Sequence, residues 1–267
     1  YTTLAHAAAL SRPPVWAGMA PSGGAAAADR RHPTVIFLAD SALYQIQYAV
    51  VTSRVSLVQV ATDGAIHDNG SGVMRLIVAE GDNGNMEHIN LLTNAVAFGT
   101  IQSDKVESVS GQLYASAIPT GAGRWCGIRL CPYGADPEVA ANWSAITRVG
   151  WATTDINNIG QVRGVPAVLK PEGIFLYNRG LDLWENMLPS WEREPHPDNG
   201  RAILNVGPQL IVSKGSGGLV MFDGYTVRDV SPYSVSGTPS LDTTSQVVSA
   251  LGGYEGWTLA ATAVSRG

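Results

Sequence analysis

The densest group of polar and aromatic side chains in this sequence lies at residues 183–200, in the stretch LWENMLPSWEREPHPDNG. Aromatic rings beside carboxylates and an arginine are the groups that a sugar- or peptide-binding groove uses, because rings stack on ligands and charged groups direct hydrogen bonds. The alternative is an exposed connection with solvated charges, in which Trp184 packs into a sheet. We predict a ligand-binding site formed by Trp184, Glu185, Trp191, Glu192, Arg193, Glu194 and His196.

The sequence does not select a catalytic group. Two carboxylates in this stretch could support glycoside hydrolysis only if they face each other across roughly 5–9.5 Å. No G-x-S-x-G nucleophile motif occurs, and the glycine run at 215–218 lacks the Lys-Ser/Thr pair that completes a phosphate-binding loop. We therefore assign no catalytic residue and no cofactor, and a protein that is not an enzyme is the favoured interpretation.

Metal ligands do not occur at the spacing that a metal site requires. The five histidines show neither an H-x-x-x-H nor an H-E-x-x-H pattern. The oxygen-rich stretches at 61–72 and 80–88 contain Asp-Gly and Asn-Gly pairs, which are typical of hairpin turns. Cys126 and Cys131 are an odd number of positions apart, so one straight strand would point them to opposite faces. We predict no metal site, and we expect the cysteines to be small, half-buried strand residues.

Composition limits the class of protein. Of the 267 residues, 15% are charged, 45% are hydrophobic and 30 are glycines. These values are typical of a compact β-protein with many tight turns, since a disordered chain has more charge and fewer apolar residues. The net charge is −5, and no basic cluster is longer than Arg30-Arg31, so nucleic acid is not an expected partner. No apolar run approaches the roughly 18 residues of a membrane-spanning helix.

Short apolar runs separated by turn residues continue from residue 34, and no segment shows a sustained helical period. Residues 166–189 and 202–232 repeat one pattern of apolar strands and glycine turns. Six similar apolar strands recur at a mean interval of about 44 residues, which is the spacing of propeller blades. They are VIFLAD, RLIVAE, GIRLCP, GIFLYN, QLIVSK and GWTLAA. We predict an all-β fold, a β-propeller of about six four-stranded blades over residues 34–267, with a β-sandwich as the alternative. Residues 1–33 are predicted to form an arm or loop that could contribute one strand.

One repeat resembles known proteins. Its pattern is an apolar strand at 210–213, a glycine turn at 215–218, the run LVMF at 219–222 and then Asp223-Gly224. This pattern resembles blades in the β-propellers of virion and phage tail-associated proteins, and of related sensor and lectin propellers. The resemblance implies a propeller fold. The repeated Gly-His and Trp-Asp pairs of the WD-repeat family are missing.

The repeat, the resemblance and the lack of catalytic motifs lead to one functional expectation. The chain is expected to be a non-catalytic structural or binding module of a larger assembly, such as a virion or a phage tail. The alternative is a carbohydrate-binding or glycoside-cleaving propeller that uses residues 183–200. The expected partners are protein subunits of the assembly or a surface glycan. The expected location is a virion or the extracellular space, and the sequence does not decide between them.

Overall fold

The computed structural model describes residues 5–6, 14–19, 35–47, 50–215, 218–231, 246–254 and 257–264. The fold is an all-β β-propeller of antiparallel four-stranded blades, as the sequence predicts. The chain divides into two compact units. Unit 1 comprises residues 1–117 and 129–145, and unit 2 comprises residues 118–128 and 146–267.

The first sheet of unit 1 contains five strands in the order β1-β5-β4-β3-β2. Strand β1 pairs with β5 in parallel, and the remaining pairs are antiparallel. Within the predicted N-terminal arm, residues 16–19 form β2, which pairs with β3 and places Trp16 opposite Leu38. The bounds are β1 (Ala5–His6), β2 (Trp16–Met19), β3 (Val35–Ala39), β4 (Ala42–Gln47) and β5 (Val50–Ser56).

The second and third sheets each run in chain order, β6 to β9 and β10 to β13. Their bounds are β6 (Asp63–His67), β7 (Arg75–Ala79), β8 (Glu87–Asn90), β9 (Val96–Phe98), β10 (Val106–Val109), β11 (Gln112–Ala117), β12 (Gly127–Cys131) and β13 (Thr147–Arg148). The stretch at 80–88, where a hairpin turn was predicted, contains a short 3-10 turn, Gly81–Asn83, and a second one, Ala140–Asn142, lies between β12 and β13.

The remaining sheets belong to unit 2. Two contain four strands in chain order, β14 to β17 and β18 to β21, and the last contains β22 and β23. The bounds are β14 (Asn158–Val162), β15 (Val165–Lys170), β16 (Gly173–Asn178), β17 (Leu183–Asn186), α1 (Ser190–Arg193), β18 (Ile203–Val206), β19 (Gln209–Lys214), β20 (Gly218–Phe222), β21 (Val227–Asp229), β22 (Gln246–Tyr254) and β23 (Trp257–Val264).

The blade of β14 to β17 illustrates why these sequences form these strands. Arg163 and Gly164 have φ of 53° and 73°, and together they form the two-residue turn between β14 and β15. The central strands β15 and β16 pair on both edges and are largely buried, which explains their almost continuous apolar sequences. Leu169 and Ile174 share a core with Leu210 of the next blade.

Among the described residues, five sheets have at least four strands, so the propeller prediction is confirmed with five blades where about six were expected. The sixth predicted unit corresponds to the two-stranded sheet of β22 and β23. The strands that the sequence aligns do not occupy the same position in every blade. VIFLAD, RLIVAE and QLIVSK supply β3, β7 and β19, which lie next to the first strand of their blades, whereas GIRLCP and GIFLYN supply the third strands β12 and β16.

Candidate functional site

The segment predicted to bind a ligand connects two blades of unit 2. It includes β17 and α1, and it continues through a loop to β18. The loop is fixed to the turn between β15 and β16, because Pro171 O accepts hydrogen bonds from His196 N at 3.3 Å and from Asn199 Nδ2 at 2.8 Å. The segment is therefore held against its blade at two points.

A pocket of about 320 Å³ opens beside α1. This volume lies at the lower end of the range found for small-ligand sites. The residues that line it come from α1, from the loop that follows and from the end of β19, namely Ser190, Trp191, Glu194, Pro195, His196, Asn199, Lys214 and Gly215.

His196 lies directly against the backbone of Gly215. A Cβ atom at position 215 would overlap His196 Nδ1 and Cγ, so this close approach requires glycine. His196 Nδ1 also accepts the N–H of Asp198 at 3.2 Å. Because that nitrogen acts as the acceptor, the neutral ring carries its proton on Nε2, which is left as a donor.

Asn199 makes one wall of the pocket rigid. Its side chain is buried, and both of its polar ends are used: Oδ1 accepts the N–H of Gly215 at 2.8 Å, while Nδ2 donates to Pro171 O at 2.8 Å. The neighbouring Asp198 accepts a hydrogen bond from Arg201 at 3.0 Å. Asn199 thus positions this wall of the pocket through both ends of its side-chain amide.

Two exposed charges of opposite sign line the pocket, Glu194 and Lys214. Neither forms an ion pair with another residue in the part of the chain that the structure describes. Ser190 adds a hydroxyl group. The pocket therefore presents an acceptor at Glu194 and donors at Lys214, Ser190 and His196 Nε2.

Three of the seven predicted residues line this pocket: Trp191, Glu194 and His196. Trp191 is 7% exposed and belongs to the hydrophobic core of the blade, so it does not offer a ring face for stacking. Its burial could not be foreseen, because the four-residue helix α1 is too short to show which side faces the core.

The other four predicted residues lie outside the pocket lining. Trp184 packs on Tyr177 of the neighbouring strand, with ring centroids 5.4 Å apart. Glu185 accepts a hydrogen bond from Asn178 Nδ2 at 3.0 Å. Glu192 accepts one from the side chain of Asn186 at 2.7 Å, and Arg193 is exposed at the end of α1.

Five pocket residues were not predicted: Ser190, Pro195, Asn199, Lys214 and Gly215. The useful signal was the glycine run that begins at Gly215 after a buried strand. In the sequence, this run was considered as a phosphate-binding loop and as a blade turn, but not as part of a binding site. It reaches the pocket because β19 pairs with β18, the strand that follows the predicted segment.

Unit 1 has a pair of half-buried acids, Asp63 and Glu107. Burial raises the pKa of Asp63 to about 6, and burial together with Asp63 raises the pKa of Glu107 to about 8. Asp63 Oδ2 accepts the N–H of Val106 at 3.0 Å.

Within the described ranges, no three His, Cys, Asp or Glu side chains are grouped so that they could hold a metal ion. Helices among these residues are all too short or too polar to cross a membrane.

The sequence matches no family model, and a search of curated proteins finds no significant match. Solved structures share its fold. The extracellular domain of a one-component system from Bacteroides thetaiotaomicron superposes with a TM-score of 0.57 at 9% identity, covering 83% of this chain and 29% of that chain. BBS1N in complex with ARL6DN gives a TM-score of 0.56 at 14% identity, covering 95% and 79%.

An auxiliary nutrient-binding protein from Bacteroides thetaiotaomicron gives a TM-score of 0.51 at 9% identity, covering 84% of this chain and 58% of that chain. The chain thus spans less than a third of the extracellular domain above. At these identities the comparisons show a β-propeller fold alone. The resemblance to virion and phage tail propellers stays a prediction.

Proposed function

We propose that the chain is a non-catalytic binding module that holds a short segment of a protein partner in the pocket beside α1. The observation that carries this proposal is the arrangement of Glu194 and Lys214, two opposite charges on one pocket with a further donor at His196. A peptide backbone supplies both N–H donors and C=O acceptors, and charged side chains of a peptide can pair with each of these groups.

A non-catalytic role is supported by the pocket lining. Glycoside hydrolysis requires two carboxylates that flank the bond to be cleaved. Glu194 is the one carboxylate among the described residues that line the pocket. Carbohydrate binding at residues 183–200 is the weaker candidate, since Trp191 is buried in the core and offers no face for a sugar ring.

Membership of a larger assembly is part of the proposal. Propellers present loops at the ends of their blades to partners, and the pocket is built from such loops. A virion or tail as that assembly is supported by the resemblance of residues 210–224. The neighbour BBS1N, which is seen in complex with ARL6DN, illustrates protein binding by a propeller of similar fold.

Selection from a displayed library of random peptides on the immobilised full chain tests this proposal. We expect selected peptides to bind the wild type and to lose about tenfold or more in affinity with Gly215→Ala, which displaces His196. Gly180→Ala is the matched control, because its new methyl group would meet only Asn178 Oδ1, at 3.4 Å. Lys214→Met, at an exposed position, separates loss of charge from loss of folding.

The result that supports the proposal is binding that survives Gly180→Ala and weakens with both Gly215→Ala and Lys214→Met. Equal binding to the wild type and to these two pocket variants would place the peptide elsewhere and refute the site. A library from which the wild type enriches no peptide would refute the ligand class.

A further inference from the structure

A second group of aromatic and charged residues lies outside the pocket, around the connection between β13 and β14. Trp151 stands in this connection with 40% of its surface exposed. Its backbone is nonetheless held on both sides: the N–H donates to Glu172 Oε1 at 2.9 Å, and the C=O accepts from Lys170 Nζ at 2.6 Å. A large apolar ring is thus presented to solvent from a fixed backbone.

The two side chains that hold the backbone of this connection form a buried ion pair. Lys170 Nζ lies 3.1 Å from Glu172 Oε1, and both side chains are fully buried. Their further hydrogen bonds go to the same connection, from Nζ to Val149 O at 2.8 Å and from Thr154 Oγ1 to Glu172 Oε2 at 2.8 Å. A buried ion pair is weak evidence for stability, because removing two charges from water costs several kcal/mol per ion. What this one provides is a fixed geometry for residues 149–154.

An exposed ion pair lies next to this turn. Asp155 Oδ2 accepts from Arg124 at 2.9 Å, and Asp155 Oδ1 accepts the backbone N–H of Trp125 at 2.9 Å. Asp155 lies in the same connection as Trp151, and between them Thr154 Oγ1 donates a hydrogen bond to Trp151 O at 3.4 Å. The indole and the acid of the ion pair are therefore carried by one short connection whose backbone is fixed.

We propose that Trp151, Arg124 and Asp155 form a binding surface for a neutral oligosaccharide. The apolar face of a sugar ring stacks on an indole, and its hydroxyl groups donate to a carboxylate and accept from a guanidinium. Because Arg124 and Asp155 neutralise each other, the surface does not favour a charged ligand. Because the backbone at Trp151 is already fixed, less conformational entropy is lost when a ligand binds.

The small area of this surface favours an oligosaccharide over a protein partner. A stable protein interface buries roughly 800 Å² on each partner. One indole and one ion pair offer much less, which suits a few sugar rings. None of the three residues lines the pocket beside α1, so this site is additional to the proposed peptide site.

An array of neutral and charged oligosaccharides, probed with the full chain, tests the assignment. We expect the wild type to bind at least one neutral oligosaccharide, and Trp151→Ala to weaken that binding by about tenfold or more. Trp151→Phe keeps a smaller ring and should retain part of the affinity. Tyr225→Ala removes another exposed ring of unit 2, 77% exposed against 40% for Trp151, and is the matched control. Gly215→Ala alters the pocket beside α1, and both variants should bind the oligosaccharide as the wild type does.

Salt provides an independent measurement, because a neutral ligand should bind equally well between about 0.05 and 0.5 M salt. Three results would overturn the proposal: no neutral oligosaccharide bound by the wild type, equal binding by Trp151→Ala, or binding of charged oligosaccharides alone that disappears at high salt. Loss with Trp151→Ala that Trp151→Phe partly restores supports it, since both substitutions remove the indole but only one retains a ring.

Discussion

Glu80 and Glu87 bind the same stretch of backbone: Glu87 Oε1 accepts the N–H of Val58 at 2.6 Å, and Glu80 Oε1 accepts the N–H of Gln59 at 3.3 Å. Both carboxyl groups are buried beside the turn between β7 and β8. Burial, followed by the neighbouring Glu87, raises the pKa of Glu80 to about 8. At neutral pH Glu80 is therefore mostly protonated.

The first prediction is that Glu80 makes folding less favourable as the pH rises. Its pKa is about 8 in the folded chain against 4.5 for an ordinary glutamate. Between these values the folded state binds more protons than the unfolded state, so the free energy of unfolding falls with rising pH. The contribution of Glu80 is complete below pH 4.5 and is lost by about pH 8.

Glu80→Gln isolates this contribution, because glutamine keeps a hydrogen-bonding side chain of the same length and does not ionise. We expect the variant to be more stable than the wild type at pH 8 by on the order of 1 kcal/mol, and the difference to shrink towards pH 5. Urea unfolding at several pH values measures it. Asp63 and Glu107 titrate in the same direction, so only the difference between variant and wild type is diagnostic. A difference that does not change with pH would contradict the assignment.

The second prediction concerns the ion pair below Trp151. Lys170→Met leaves Glu172 as an uncompensated buried charge and removes the donor for Val149 O and Trp151 O. Breaking a buried pair in this way costs about 3–5 kcal/mol. Urea unfolding followed by circular dichroism should show a loss of this size.

Lys214→Met is the matched control for Lys170→Met. It makes the same substitution in the same unit at an exposed position, and its effect on stability should stay within about 0.5 kcal/mol. Equal effects of the two substitutions would mean that the Lys170 pair contributes no more than a surface charge.

The third prediction concerns the two cysteines, which are free and fully buried in the structure. Burial raises the pKa of Cys131 to about 11, which lowers the fraction of reactive thiolate further. A chromogenic disulfide reagent should label less than about a tenth of the thiols in the native chain, and both in denaturant. Rapid labelling of a native thiol would show that its blade opens readily.

The fold could be predicted because short apolar runs and glycine turns are local signals. The number of blades could not be predicted, because the central strands resemble one another in sequence. β15 and β16 are each paired on both edges and largely buried, so VPAVLK and GIFLYN are both apolar except at their last residues. Spacing alone does not tell a second strand from a third, which explains why β12 and β16 were aligned with β3 and β7.

Only those pocket residues that belong to the segment 183–200 could be predicted from the sequence. Glu194 and His196 were found because they lie in the polar stretch, whereas Lys214 reaches the pocket through the pairing of β18 with β19. The surface around Trp151 was missed for a similar reason. Arg124 and Asp155 are far apart in the sequence, and they meet through the hydrogen bonds that Asp155 accepts from Arg124 and from the backbone N–H of Trp125.

The last prediction separates the two tryptophans that the sequence placed in one site. Trp191 packs in the core of its blade with Leu188 and Leu169, so Trp191→Ala leaves a cavity and should cost about 3–5 kcal/mol of unfolding free energy. Trp184 is half-buried on the outer strand β17 and contacts Tyr177, so Trp184→Ala should cost only about 0.5–1.5 kcal/mol. Urea unfolding followed by circular dichroism compares them without relying on tryptophan fluorescence. Equal losses, or a larger loss for Trp184→Ala, would show that Trp191 is not the core residue that the structure makes it.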